Sequence, residues 1–182
     1  DAPVARFERA ASLLDAHEVD GIVLASPAEA HVDDAAKAAT MGVPTLVEKP
    51  PAPDAAGARR LVDLEPPPWV AFNRRFDPAA QAVRRAVPAG GEIDLELRIQ
   101  YRRHSWGAVS VADDALADLG PHLVDWARWL TGQEVTQVVH ARLAHDRAEL
   151  HLELQGARAA LHADADRIHR ETIVVRDRGG KV

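Results

Sequence analysis

The chain has 182 residues, a net charge of −6, 47% apolar and 27% charged residues, and no cysteine. That is the profile of a soluble globular protein, one ordinary domain or two small ones. It excludes disulfides, thiolate metal ligands and a cysteine nucleophile, and the lack of a basic stripe argues against a nucleic-acid partner.

No apolar run approaches the ~18 residues of a membrane span, and the charged start DAPVARFERAA has no signal-peptide core. With the missing cysteines, this is compatible with a cytoplasmic location.

From the N-terminus, Phe7, Ala10, Ala11 and Leu14 repeat at helical spacing across residues 5–17. Residues 19–25 then read as a short buried strand. Ser26 and Pro27 follow, a capping type and a first-turn type for a helix that stops at Gly42. A second strand, Val43–Val47, runs into Glu48-Lys49-Pro50. Asp54 opens another helix, Pro66-Pro67-Pro68 makes a loop, and 69–72 is a third strand. Strands alternating with helices predict parallel βαβ units.

The period then changes. After a helix at about 78–87 and a turn at Gly90-Gly91, Ile93, Leu95, Leu97, Ile99 and Tyr101 alternate with polar residues. That is a strand with one buried face. Further strands are expected at about 135–144, 148–155, 157–164 and 171–177, with a helix at 116–131 before them. The sequence therefore predicts α/β plus α+β: a partial Rossmann-type parallel sheet over 1–76, then a mostly antiparallel sheet with a packed helix over 77–182.

Several polar residues stand out. Lys49 ends a parallel strand, the end that faces the ligand crevice in open α/β sheets. Asp118, His122 and Asp125 fall on one helix face, at i, i+4 and i+7. A solvated face would place them in the same way. Ser26 and Pro27 either line a ligand path or begin a helix. Arg75, with Asn73 and Arg74, reaches a crevice or forms ion pairs between domains. Trp106, in the loop HSWGAVS with His104, covers a ligand or anchors an interface. His31 reads as structural, and the histidine spacings suggest no metal site.

Four segments occur in order: VDGIVLASPAEAH (19–31), GVPTLVEKP (42–50), AFNRRFDPA (71–79) and ADLGPHLVDWARWLTG (117–132). Together they resemble the glucose–fructose oxidoreductase / inositol dehydrogenase (Gfo/Idh/MocA) family over nearly the whole chain. The resemblance implies an enzyme that uses NAD or NADP and moves a hydride to or from a sugar, cyclitol or related polyol derivative. It implies His122 as proton carrier, Lys49 reaching the reacting oxygen, and Asp118 binding a substrate hydroxyl or orienting the histidine. Ser26, Pro27, Glu48 and Lys49 become cofactor contacts, with Glu48 and Pro50 shaping the loop. Arg75 and Trp106 join Asp118 and His122 as substrate contacts, and a homo-oligomer is expected, joined through the exposed sheet face.

Two departures bear on this. No Gly-x-Gly-x-x-Gly turn occurs in the 182 residues, so by themselves they are expected to bind the dinucleotide weakly. Asp113 and Asp114 stand where the family has a glycine pair, adding negative charge near the pocket. Both features leave a second reading open, a non-catalytic binding or assembly module derived from the same family.

Overall fold

The computed structural model describes residues 4–88, 91–102 and 114–178. They form two compact units, 1–71 and 72–182.

The first unit is a parallel sheet with helices on it. Its strands Ile22–Leu24 (β1), Thr45–Val47 (β2) and Trp69–Val70 (β3) lie in the order β1-β2-β3. Helix Ala10–Ala16 (α1) precedes β1, and helices Ala28–Thr40 (α2) and Ala55–Val62 (α3) come between the strands in the chain. Leu24 and Val47 meet Val32, Ala35, Ala52 and Leu61 in one small core, while Leu14, Ala38 and Val43 make another. Asp54 caps α3 by accepting from Gly57 N at 2.8 Å. Gly42 takes φ +69°, the left-handed conformation that ends α2.

Two local expectations are corrected. Helix α1 begins only at Ala10, behind an Arg9 that offers no side-chain cap, so Phe7 lies outside it. Ser26 does not cap α2, because the N-cap is Pro27 and no side chain caps the helix. The proline ring already fixes a φ suited to the junction, at −58°.

In the second unit, a short 3-10 turn, Asn73–Phe76, leads into Pro78–Ala86 (α4), which Asp77 caps through Ala79 N and Ala80 N. Ile93–Arg102 (β4) precedes Ala115–Thr131 (α5). Then come Val135–Leu143 (β5), Arg147–Leu154 (β6), Arg158–Asp164 (β7) and Asp166–Asp177 (β8). The sheet order is β5-β6-β7-β4-β8. Three of its pairings are antiparallel, but β4 and β7 run parallel. The long crossover through α5 permits that parallel pair, which hairpins alone could not make. Strand β8 also starts five residues before the expected 171; its first residues are exposed on both phases and carry no alternation.

One sheet face is dry. Leu95, Leu97, Ile99, Leu152, Ala159 and Leu161 pack beneath Leu119, Leu123, Trp126 and Leu130 of α5. The other face is a charged lattice. One row crosses all five strands as Arg142, Glu149, His162, Arg98 and Thr172. Partial burial pushes the His162 imidazole below histidine's usual range, and Arg98 beside it adds to the effect, against the opposing pull of Glu149 and Glu96. A base whose folded-state pKa is depressed binds fewer protons folded than unfolded. Stability is then full above histidine's ordinary ~6.5 and falls as pH drops below it. Thermal melts between pH 7.5 and 5 should show that loss, and His162→Gln should reduce the slope; an unchanged slope refutes the assignment.

Candidate functional site

In the first unit, the carboxyl edge of the sheet carries the candidate cofactor contacts. The ladder continues one residue past each strand, with Glu48 N donating to Leu24 O and Ala71 N to Val47 O, both at 2.8 Å. Beyond that point the chain turns away, placing Ser26 and Pro27 after β1 and Glu48 and Lys49 after β2. Ser26 and Pro27 are exposed, and Glu48 and Lys49 are half-buried. Glu48 accepts from the backbone N–H of Lys49 at 3.1 Å, so it shapes the loop in which Lys49 sits. His31, only 1% exposed, reaches across from α2 and contacts Pro50 O through Nδ1 at 3.2 Å. Its spacing in sequence gave no sign of this brace.

The edge suits the nicotinamide end of a dinucleotide. It is the open end of a parallel sheet, it is lined by a hydroxyl and an amine, and the buried His31 Nε2 beside the brace has no hydrogen-bond partner. The pyrophosphate needs backbone N–H groups at a glycine turn, and no such motif stands in these 182 residues.

In the second unit, α5 presents the other candidates. His122 and Asp125 are 5% and 3% exposed, so this stripe is not a solvated face; Asp118, in the first turn, is half-buried. The Phe72 ring meets the His122 ring edge-on at 6.4 Å between centroids. Tyr101, at the end of β4, donates its hydroxyl to Asp118 Oδ2. Pro121 sits inside α5, one residue before His122. It cannot donate to the carbonyl four residues back, which loosens the helix at that turn.

Arg75 is paired with Asp125. Its Nε donates to Asp125 Oδ2 at 2.8 Å and its Nη2 to the other oxygen, a bidentate fork within the second unit. That hydrogen bond raises the guanidinium above arginine's ordinary range. The same guanidinium lies 5.6 Å from the centre of the Phe72 ring. Arg74 pairs with Glu171. Asp114 is the N-cap of α5 and accepts from Ala117 N at 2.8 Å, so its carboxylate has a structural use. Trp106, His104 and Asp113 lie outside the described residues, as does Gly90 of the expected turn. Among the described residues no cluster could hold a metal ion, and no helix is long and apolar enough to cross a membrane.

A parallel sheet with polar residues on its carboxyl edge, followed by a helix-backed mixed sheet with a buried histidine, makes a two-part α/β plus α+β architecture. Residues 2–67 match the oxidoreductase family with an NAD-binding Rossmann fold, and residues 93–176 match the GFO/IDH/MocA C-terminal domain. The chain belongs to the GFO/IDH/MocA oxidoreductase family.

It is 35% identical over 140 residues to the rhizopine catabolism protein MocA of Rhizobium meliloti, covering 71% of this chain and 44% of the relative. Inositol 2-dehydrogenase of Corynebacterium glutamicum is 36% identical over 146 residues, covering 76% and 43%. The chain thus spans less than half the length of these relatives. Among solved structures, UDP-N-acetylglucosamine 3-dehydrogenase GnnA of Acidithiobacillus ferrooxidans superposes with a TM-score of 0.79 at 26% identity, covering 94% of this chain and 56% of that one. Scyllo-inositol dehydrogenase of Lactobacillus casei, solved with NAD(H) and scyllo-inositol, has a TM-score of 0.76 at 18% identity, covering 93% and 57%, a likeness of fold.

Proposed function

We propose that the full-length protein is an NAD(P)-dependent oxidoreductase acting on a secondary alcohol of a cyclitol, with a sugar derivative as the other member of the same substrate class. The observation that carries this is the buried His122 on the same helix as Asp118, within a family whose relatives include inositol 2-dehydrogenases.

The nicotinamide dinucleotide, when bound, supplies the hydride acceptor. Ser26, Pro27, Glu48 and Lys49 would hold its nicotinamide side. His122 would take the hydroxyl proton as the carbon gives up its hydride, the general-base role that an imidazole can fill. Lys49 donates a hydrogen bond to the reacting oxygen and shares its developing charge. Asp118 accepts from a neighbouring hydroxyl, which orients the ring.

Self-association through the outer face of the second unit's sheet is part of the proposal; there the row Glu153, Arg158, Asp94 and Arg176 alternates in sign, which favours an oppositely charged surface on a second copy.

The deciding experiment is turnover by the full-length protein, followed through NADH or NADPH formation with myo-inositol, scyllo-inositol and UDP-N-acetylglucosamine. Turnover of a cyclitol is the expected result; failure with all three under both cofactors refutes the reading. If Lys49 and His122 act on one oxygen, Lys49→Met and His122→Ala should be non-additive in kcat/KM. Additive losses would separate the two.

A further inference from the structure

Strand β4 points five residues into the core in alternation, and four of them are aliphatic. The fifth, Tyr101, is also buried, at 6% exposure, but ends in a hydroxyl. A buried phenol left without a partner is costly, so its hydroxyl must be matched. Here it is matched by the Asp118 carboxylate, 17 residues away in sequence and in the first turn of α5. A hydroxyl donating to a carboxylate is among the stronger protein hydrogen bonds.

The strand also breaks its register at this residue. The step from Gln100 to Arg102 on β4 is matched on β8 by the longer step from Arg170 to Asp166. Phenylalanine would fill the same space but could not donate to Asp118.

We propose that Tyr101 is a positioning residue for substrate recognition: its hydroxyl fixes the Asp118 carboxylate in the rotamer that receives a polyol hydroxyl. This rests on the reading of Asp118 given above. A carboxylate near the start of a helix has several staggered rotamers open to it. Held by a rigid aromatic on a paired strand, it meets the substrate without first being ordered, and preorganisation of that kind is read as affinity. A bond that serves only to staple β4 to α5 would instead act on stability alone.

The test uses the full-length protein with Tyr101→Phe, Asp118→Asn and the double variant. It measures kcat and KM with the cyclitol that is turned over, binding of that cyclitol by calorimetry without turnover, and thermal unfolding. Tyr101→Phe should raise KM and weaken calorimetric binding roughly tenfold, the scale of one lost hydrogen bond to a charged group, with kcat little changed. In the Asp118→Asn background the same change should add nothing.

If Asp118→Asn impairs binding and Tyr101→Phe does not, the positioning role is overturned while the site reading stands. If Tyr101→Phe lowers only the melting temperature, or acts equally in both backgrounds, the bond is a staple and the proposal fails. If Asp118→Asn itself changes nothing, the reading of the site falls, and the role of Tyr101 with it.

Discussion

Replacing His122 with alanine is expected to lower kcat of the full-length protein by about 10²–10⁴, the contribution of one positioned acid–base group. The imidazole is buried, at 5% exposure, and sits edge-on to Phe72. It is therefore held in one place, which general-base geometry requires. KM should move less than kcat, because the proton is transferred in the transition state and not on binding. A buried ring also fills space, so His122→Ala leaves a cavity and costs some stability. His122→Gln separates the two effects: it retains most of the volume and hydrogen-bonding capacity but cannot take up the proton. Equal loss of kcat in both variants, with Gln restoring the melting temperature, is the expected pattern. Unchanged kcat in either variant removes His122 from the mechanism.

The fold was legible wherever burial imposed a period. The alternation of β4 and the helix opening at Asp54 follow directly from local physics, and each appears where its residues place it. The parallel β4–β7 pair was not legible, because strand order depends on which neighbours meet after the α5 crossover, and no residue of either strand records that. The start of β8 was missed for the opposite reason: with both faces exposed, it has no alternation to read.

At the candidate site, residue types were legible and their partners were not. Asp125 could be placed on the stripe with His122, but its fork with Arg75 spans 50 positions. Tyr101 was counted as one more apolar residue of β4. The signal available was its chemistry: among five inward-facing residues, it alone carries a donor that must be satisfied. His31 likewise reads as core, and only the folded chain shows that it braces the Pro50 carbonyl beside Lys49.

Arg75→Ala is expected to destabilise the second unit by about 1–3 kcal/mol, the cost of leaving a buried acceptor without its partner. The two side chains differ in exposure, Asp125 at 3% and Arg75 at 39%. Removing the arginine strands a carboxylate that cannot reach water. Removing the carboxylate leaves a guanidinium that can swing outward. Asp125→Asn should therefore cost clearly less than Arg75→Ala, although a pair counted by distance alone would predict equal losses.

Arg75→Lys should recover only part of the stability. An ammonium cannot make the two parallel bonds of the fork, nor lie over the Phe72 ring as a planar group does. Denaturant melts of the three variants test the order Ala, then Lys, then Asn, from most to least damaging. The same variants bear on recognition. If Arg75 contacts substrate directly, Arg75→Lys should raise KM well beyond the change seen with Asp125→Asn. If its work is confined to holding Asp125 and Phe72, KM should follow stability in both variants.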